Sequence, residues 1–310
     1  MNKRTLLLGV LAALPILAQD GWKLRLNTGF MKSNVPSPFS LGSYYTSTAS
    51  GTSQTGEYHT VFAEYGNHIP LGLNGSYRKG NNEFGLDIFH TSKKESNLWS
   101  VPDGYSGYGW AYPLPMTTET KLQSTVVDAK WTHHYPLGAN GSFTSSLGLR
   151  FGSFKHEVGM MPDMTNPSAA NQFDTFSIYS KSEMYGLIAG FGYSYPFGAG
   201  WSVGADMNFA FLQGDHETIF NQHYFYSGNT YPHTYNNYSQ KVKDQAAFQT
   251  DLHAHVDWQI ANFVELSMGY RYIDYGKVTQ LNLPWYNYPG IERNGGWGVT
   301  GLTAGVTFKF

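Results

Sequence analysis

Asp251, His253, His255 and Asp257 occupy alternate positions of one stretch, the densest run of titratable side chains in the sequence. On an extended strand, residues two apart share a face and lie about 7 Å from each other. That ladder is too open to chelate one metal ion alone, although a group from a neighbouring strand could complete a site. An Asp and a His could also serve a loop serine as a triad, but no Gly-x-Ser-x-Gly element accompanies them. Hydrogen-bonded histidines facing a polar interior are the commoner use of such a row, so no catalytic residue, no metal and no cofactor is expected.

The row belongs to a strand. Ala246, Phe248, Leu252, Ala254, Val256 and Trp258 fall on one side, while Gln249, Asp251, His253, His255 and Asp257 fall on the other, with Thr250 the one exception. Trp201, Val203, Ala205, Met207, Phe209 and Phe211 alternate in the same way with Ser202, Gly204, Asp206, Asn208 and Ala210. So do Leu302, Ala304, Val306, Phe308 and Phe310 with Gly301, Thr303, Gly305, Thr307 and Lys309. Period-two alternation marks half-buried strands. By itself it does not say whether the apolar side meets a core or lipid.

Composition narrows the choice. Only 14% of the 310 residues are charged, where soluble domains carry about a quarter. Mean hydropathy is nevertheless −0.36, and past residue 18 no stretch approaches the roughly 18 to 20 apolar residues of a membrane-spanning helix. The 35 Gly, 23 Tyr and 20 Phe are strand and turn material. A net charge of −2 offers no field for nucleic acid, and zero cysteines exclude disulfides, thiolate metal sites and a lipidated N-terminal cysteine. Residues 1–18 place Lys3 and Arg4 before an apolar run from Leu6 to Leu17 and end on Ala18, which reads as a secretory signal peptide. One domain is then expected over 19–310.

A repeat sets the strand count. His68-Ile-Pro-Leu-Gly-Leu-Asn-Gly-Ser76 recurs as His134-Tyr-Pro-Leu-Gly-Ala-Asn-Gly-Ser142 and, more loosely, as Ser194-Tyr-Pro-Phe-Gly-Ala-Gly-Trp-Ser202, and Trp258-Gln-Ile-Ala-Asn-Phe263 falls at the same interval. Read as short turns, these four close four hairpins. Single strands near 22–32 and 297–310 bring the count to ten. The opposite connections, at about 33–56, 97–118, 159–180, 217–243 and 281–296, are long. Trp22, Trp131, Tyr135, Tyr195, Trp201, Trp258, Phe263 and Phe310 gather at the short-turn end, as an interfacial aromatic girdle would. Short turns at one end and long loops at the other are the asymmetry of an outer-membrane barrel. In lipid an open sheet edge leaves backbone groups unpaired at several kcal/mol each, so the first strand must pair with the last. The fold predicted is all-β: a closed antiparallel transmembrane β-barrel of ten strands.

The register directs Lys23, Arg25, Glu64, His68, Asp87, Asp128, Lys130, His134, Arg150, Asp206, Asp251, His253, His255, Asp257, Glu265, Arg271 and Lys309 inward. Two readings stay open for this mixed-charge set: packing that fills a narrow lumen, or a polar pore whose charges select solutes. For the pore, the candidate selectivity residues are Lys23, Arg25, Glu64, Asp87, Asp128, Lys130, Arg150, Asp206, Asp251, His253, His255, Asp257 and Arg271. The long loops carry Trp99, Tyr105, Tyr108, Trp110 and Tyr112, then Tyr224, Phe225, Tyr226, Tyr231, Tyr235 and Tyr238, then Trp285, Tyr286 and Tyr288. These suit either packing of the loops on each other or contact with an outside partner.

The ending Gly298-Val-Thr-Gly-Leu-Thr-Ala-Gly-Val-Thr-Phe-Lys-Phe310 resembles the C-terminal strand of bacterial outer-membrane barrels. Together with Val127-Asp-Ala-Lys-Trp131, Leu147-Gly-Leu-Arg-Phe151 and Gly269-Tyr-Arg-Tyr272, it is similar to pore-forming proteins of the Legionella major-outer-membrane-protein type. That resemblance implies a porin-like pore for small solutes or ions, placed in the outer membrane of a Gram-negative-type bacterium. It further implies lipid as surroundings and recognition of Phe310 by the barrel assembly machinery; association between copies is left open. The cysteines often found in that group are absent. Lys241-Val-Lys-Asp-Gln245 also looks like the omptin outer-membrane proteases, which need an Asp pair facing an Asp/His pair at the rim. Here Asp103 is the only acid of the second long loop before Glu119, and Asp215 and His216, being adjacent, must point to opposite faces. The expected function is therefore a passive pore, with a partner-binding barrel as the alternative and a rim hydrolase behind both.

Overall fold

The computed structural model describes residues 21–34, 66–99, 116–137, 141–162, 172–226, 233–276, 278 and 297–310, together with short strand pieces in the first two long connections. The expected signal peptide, Glu64 and half of the named loop aromatics lie outside them. Ten long strands form the wall: β1 (Trp22–Asn34), β2 (Leu71–Lys79), β3 (Asn82–Trp99), β4 (Met116–Pro136), β5 (Ser142–Pro162), β6 (Gln172–Gly198), β7 (Trp201–Tyr226), β8 (His233–Ala261), β9 (Val264–Asp274) and β10 (Gly298–Lys309). Each pairs antiparallel with the next, and β1 closes on β10 from Lys23↔Lys309 to Asn34↔Gly298. The predicted ten-stranded closed barrel is the fold, and no sheet edge is left to face lipid.

The first predicted turn is misplaced. Leu71 to Ser76 lie within β2, and the chain reverses at Gly80 and Asn81, where Gly80 takes φ +60°. A positive φ suits glycine, and Lys79-Gly-Asn-Asn82 supplies it four residues past the Asn74-Gly75 pair that mimics the later turns. His68 accordingly sits on the two-residue segment Asn67–His68 paired with β1, buried beside Ser33, and away from the short-turn end. The other reversals fall where the repeat puts them. Gly198, Ala199 and Gly200 all have positive φ at the β6–β7 turn, and Asn262 and Phe263 join β8 to β9.

Two predicted loops are mostly strand. β5 and β6 run on to Pro162 and from Gln172, and β7 and β8 to Tyr226 and from His233. These extensions lose their apolar outer side chains, which is why alternation fails to mark them, yet their ladders persist. On the outer face of β5, Phe143, Leu147, Leu149 and Phe151 are exposed, and Ser153, Lys155 and Glu157 follow. On β6, Tyr195, Tyr193, Phe191, Leu187 and Tyr185 give way to Glu183 and Lys181. Tyr195 to Tyr185 spans about 33 Å of strand, or about 25 Å along the membrane normal at a tilt near 40°. That is the height of a lipid-facing band. Past it, Lys94–Glu119, Lys121–Glu157, Lys181–Glu183 and Lys241–Asp215 ion pairs ring the outer surface. At the opposite margin Trp201 and Trp258 stack with centroids 5.2 Å apart, and Trp131, Tyr135, Phe263 and Phe310 stand exposed at the same end of the wall.

Candidate functional site: a lumen in three layers

Inward-facing side chains divide the lumen by height. Nearest the short turns is a polar vestibule. Lys23 reaches Glu83 at 3.4 Å, and Glu83 also meets His134 Nε2 at 3.1 Å. Lys309 holds Glu265 at 2.7 Å and Gln259 at 2.6 Å. Arg25 stands 3.8 Å from Asp257, and His255 links Asp257, at 3.2 Å, to Asp206, at 3.6 Å. Glycines make room for these groups. A Cβ on Gly192 would strike Asp206, one on Gly204 the His255 ring, and one on Gly269 His253.

Above the vestibule lies a layer of charge that spans the barrel. Arg150 of β5 grips Asp128 of β4 with both Nε and Nη2 at 2.7 Å, while its Nη1 donates to Gln249 Oε1 of β8 at 3.1 Å. Arg271 of β9 grips Asp251 of β8 through Nε at 2.9 Å and Nη2 at 2.6 Å, and Asp251 is also 3.8 Å from Arg150. The Arg271 guanidinium lies 4.4 Å from the ring centre of Phe89 on β3. Asp87 lies directly across the ladder from Asp128, and Lys130 approaches Asp128 at 4.0 Å. Three carboxylates thus meet two guanidiniums and an ammonium. Fork-to-fork pairing satisfies buried charges that would otherwise be very costly. The gap left among Asp87, Asp128, Arg150, Asp251, Arg271 and Tyr275 is about 10 Å³, room for one water molecule.

The third layer is apolar, against the expectation of a polar lumen throughout. Phe154, Tyr275 and Trp297 meet edge to face, with centroids 4.9 to 5.6 Å apart, and Leu122, Met184, Leu212 and Ile273 pack around them with almost no exposure. Beyond Asp274 the chain turns at Gly276, φ +65°, and Val278 reaches across to β6, where Ser182 Oγ donates to its carbonyl. His216 Nδ1 lies 2.8 Å from the same Ser182 Oγ.

Apart from Glu64, the candidate selectivity residues all project into this lumen. They do not line one open path: Lys23, Arg25, Asp206, His253, His255 and Asp257 face the vestibule, while Asp87, Asp128, Lys130, Arg150, Asp251 and Arg271 build or border the layer that crosses it. Asp251 is committed to two arginines, so it orients no histidine for a triad. Asp215 points outward to Lys241 at 3.0 Å, while His216 is buried inside, as their adjacency requires. Sequence reasoning missed Glu83, Phe89, Phe154, Tyr275 and Trp297. The signal for the aromatic layer is that Leu122, Val126, Phe154, Met184, Leu212 and Ile273 occupy the face that polar residues hold closer to the turns.

No protein-family model matches the chain, and no curated protein sequence is similar to it. Among solved structures it is similar to the outer membrane protease OmpT from Escherichia coli, at 12% identity over 94% of this chain and 97% of that one, with a TM-score of 0.44. It is also similar to a major outer membrane protein from Thermus thermophilus (12% identity, 94% and 98% covered, TM-score 0.37). A third is the Pseudomonas putida toluene transporter TodX (9% identity, 96% and 91% covered, TM-score 0.33). Likenesses this remote carry no residue roles across.

Proposed function

We propose that this protein is an outer-membrane channel for ions or small solutes, held shut at the middle of its lumen. The observation that carries the reading is the composition of the closure. A polar vestibule leads to a cross-lumen layer of ion pairs, and the aromatic layer above it is completed by Tyr275, Val278 and Trp297, which flank the end of β9 and the start of β10. Tyr275, Val278 and Trp297 lie past the ends of the β8–β9 and β9–β10 ladders, so opening need not unzip the barrel. Charged groups at a narrow point would then set which ions pass. The resemblance to Legionella-type pore proteins is in keeping with this role. So is export by residues 1–18, with Phe310 as the terminal aromatic offered to the assembly machinery.

The test is single-channel recording in planar bilayers of the refolded wild-type barrel and of a Tyr275→Gly/Trp297→Gly variant. Brief, small openings in the wild type and a several-fold larger, longer-lived conductance in the variant are expected. Silence of both across a wide voltage range overturns the channel and leaves a barrel that serves to display its outer loops.

A further inference from the structure

We infer that Asp206, His253 and His255 form a binding site for a divalent transition-metal ion of the zinc class, inside the vestibule. Their donor atoms, one from each side chain, all lie within 4.8 Å of one another. Asp206 and His253 are directly paired across β7 and β8, and His255 is two residues along β8 on the same face. The ladder along β8, too open to chelate alone, is completed by a carboxylate from the next strand. Zinc ligands at about 2.0–2.1 Å from the ion stand about 3.4 Å apart in a tetrahedron, so small side-chain rotations close the site.

Four further features prepare these groups for a metal. His255 Nε2 lies 3.2 Å from Asp257 Oδ2, so it carries the proton, and Nδ1 is left with its lone pair. That is the carboxylate–histidine arrangement that orients metal-bound imidazoles. His255 Nδ1 is buried and has no hydrogen-bond partner, and neither have Asp257 Oδ1 and Arg25 Nε beside it. A buried acceptor without a donor is costly, and a bound cation would satisfy it. His253 Nε2 is held by the Thr303 hydroxyl at 3.0 Å, and the two imidazoles stack with centroids 5.0 Å apart, which fixes both rings. Finally, Gly192, Gly204 and Gly269 open the three niches in which the ligand side chains sit, each of which a Cβ would obstruct. Two imidazoles and one carboxylate favour zinc, copper or nickel over magnesium or calcium. Asp206 is half exposed to the vestibule, so the ion can enter from the short-turn side and water can take the fourth position. This site does not depend on the channel reading.

The test is calorimetric titration of Zn²⁺ into the metal-stripped, refolded full-length barrel, with heat-modifiable gel migration reporting the fold. One ion per chain is expected. Binding should be lost in His255→Ala and His253→Ala and weakened about 10- to 100-fold in Asp257→Asn, which removes the orienting carboxylate. If the alanine variants do not fold, the wild type loaded with Cu²⁺ decides by EPR, where hyperfine coupling to two imidazole nitrogens is expected. A folded wild type that takes up no zinc overturns the site. Uptake unchanged in the folded histidine variants, or coupling to fewer than two imidazoles, overturns it equally.

Discussion

Arg150 and Gln249 sit on strands three apart around the wall, yet Arg150 Nη1 donates to Gln249 Oε1 at 3.1 Å. The same guanidinium binds Asp128 on the neighbouring strand with its other two nitrogens. One side chain therefore ties two sectors of the barrel together through the middle of the lumen. Ten strands leave only slightly more interior than the eight that side chains can fill, and a single arginine bridges much of what remains.

Removing one partner of this bridge should cost far more than removing both. Arg150→Met leaves Asp128 buried without its fork, and loss of a buried partner typically costs about 3–5 kcal/mol. Arg150→Met with Asp128→Leu replaces the pair by apolar groups and should recover most of that loss. Urea unfolding of the barrels in lipid vesicles measures both, and equal stability of the two variants would show that an unpaired Asp128 is not what the single substitution costs.

The lipid-facing band can be located by charge. Phe191 is 52% exposed near mid-band, so Phe191→Arg should destabilise by about 2–4 kcal/mol, the cost of a cation at the bilayer midplane. Glu183→Arg, eight residues along the same strand and already in the charged collar, should cost no more than about 1 kcal/mol. Similar penalties for the two in the same unfolding assay would place the membrane elsewhere on the strands.

How much of this was legible beforehand follows from which face a residue serves. The wall, its closure and its strand count could be read because lipid on one side and polar groups on the other keep strict alternation, as from Ala246 to Trp258. The Trp201–Trp258 pair was legible as a girdle for the same reason. The strand extensions to Pro162 and Tyr226 were not, since the outer face turns polar once the wall leaves lipid while Phe154, Val158 and Ile178 stay apolar inside, so the alternation that marks the wall is lost. The aromatic layer stayed hidden because Phe154, Tyr275 and Trp297 meet only through closure, and β9 and β10 are remote in sequence from β5. The false first turn arose because Asn74-Gly75 has turn chemistry, while the reversal is made by Gly80.

Stacking of Trp201 on Trp258, with planes 4° apart, should appear as coupling rather than as area alone. A double-mutant cycle with Trp201→Ala and Trp258→Ala in lipid vesicles should give about 0.5–1.5 kcal/mol of interaction energy. A value near zero would mean that each ring is anchored by the membrane interface independently.

Gly276 turns the chain between Tyr275 and Val278, which close the lumen. Its φ of +65° suits glycine, and a Cβ there would run into the Phe248 carbonyl on β8. Gly276→Val should therefore push Tyr275 and Val278 away from their seats while leaving the β9 ladder, which ends at Asp274, in place. The expected outcome is a higher open probability than wild type at the same voltage. With the aromatic layer displaced, the ion-pair layer becomes the narrowest point, so adding Arg271→Glu should shift the reversal potential in asymmetric salt towards cation preference. An unchanged reversal potential would place the selective constriction away from Arg271, and unchanged opening in Gly276→Val alone would show that this segment does not govern access to the lumen.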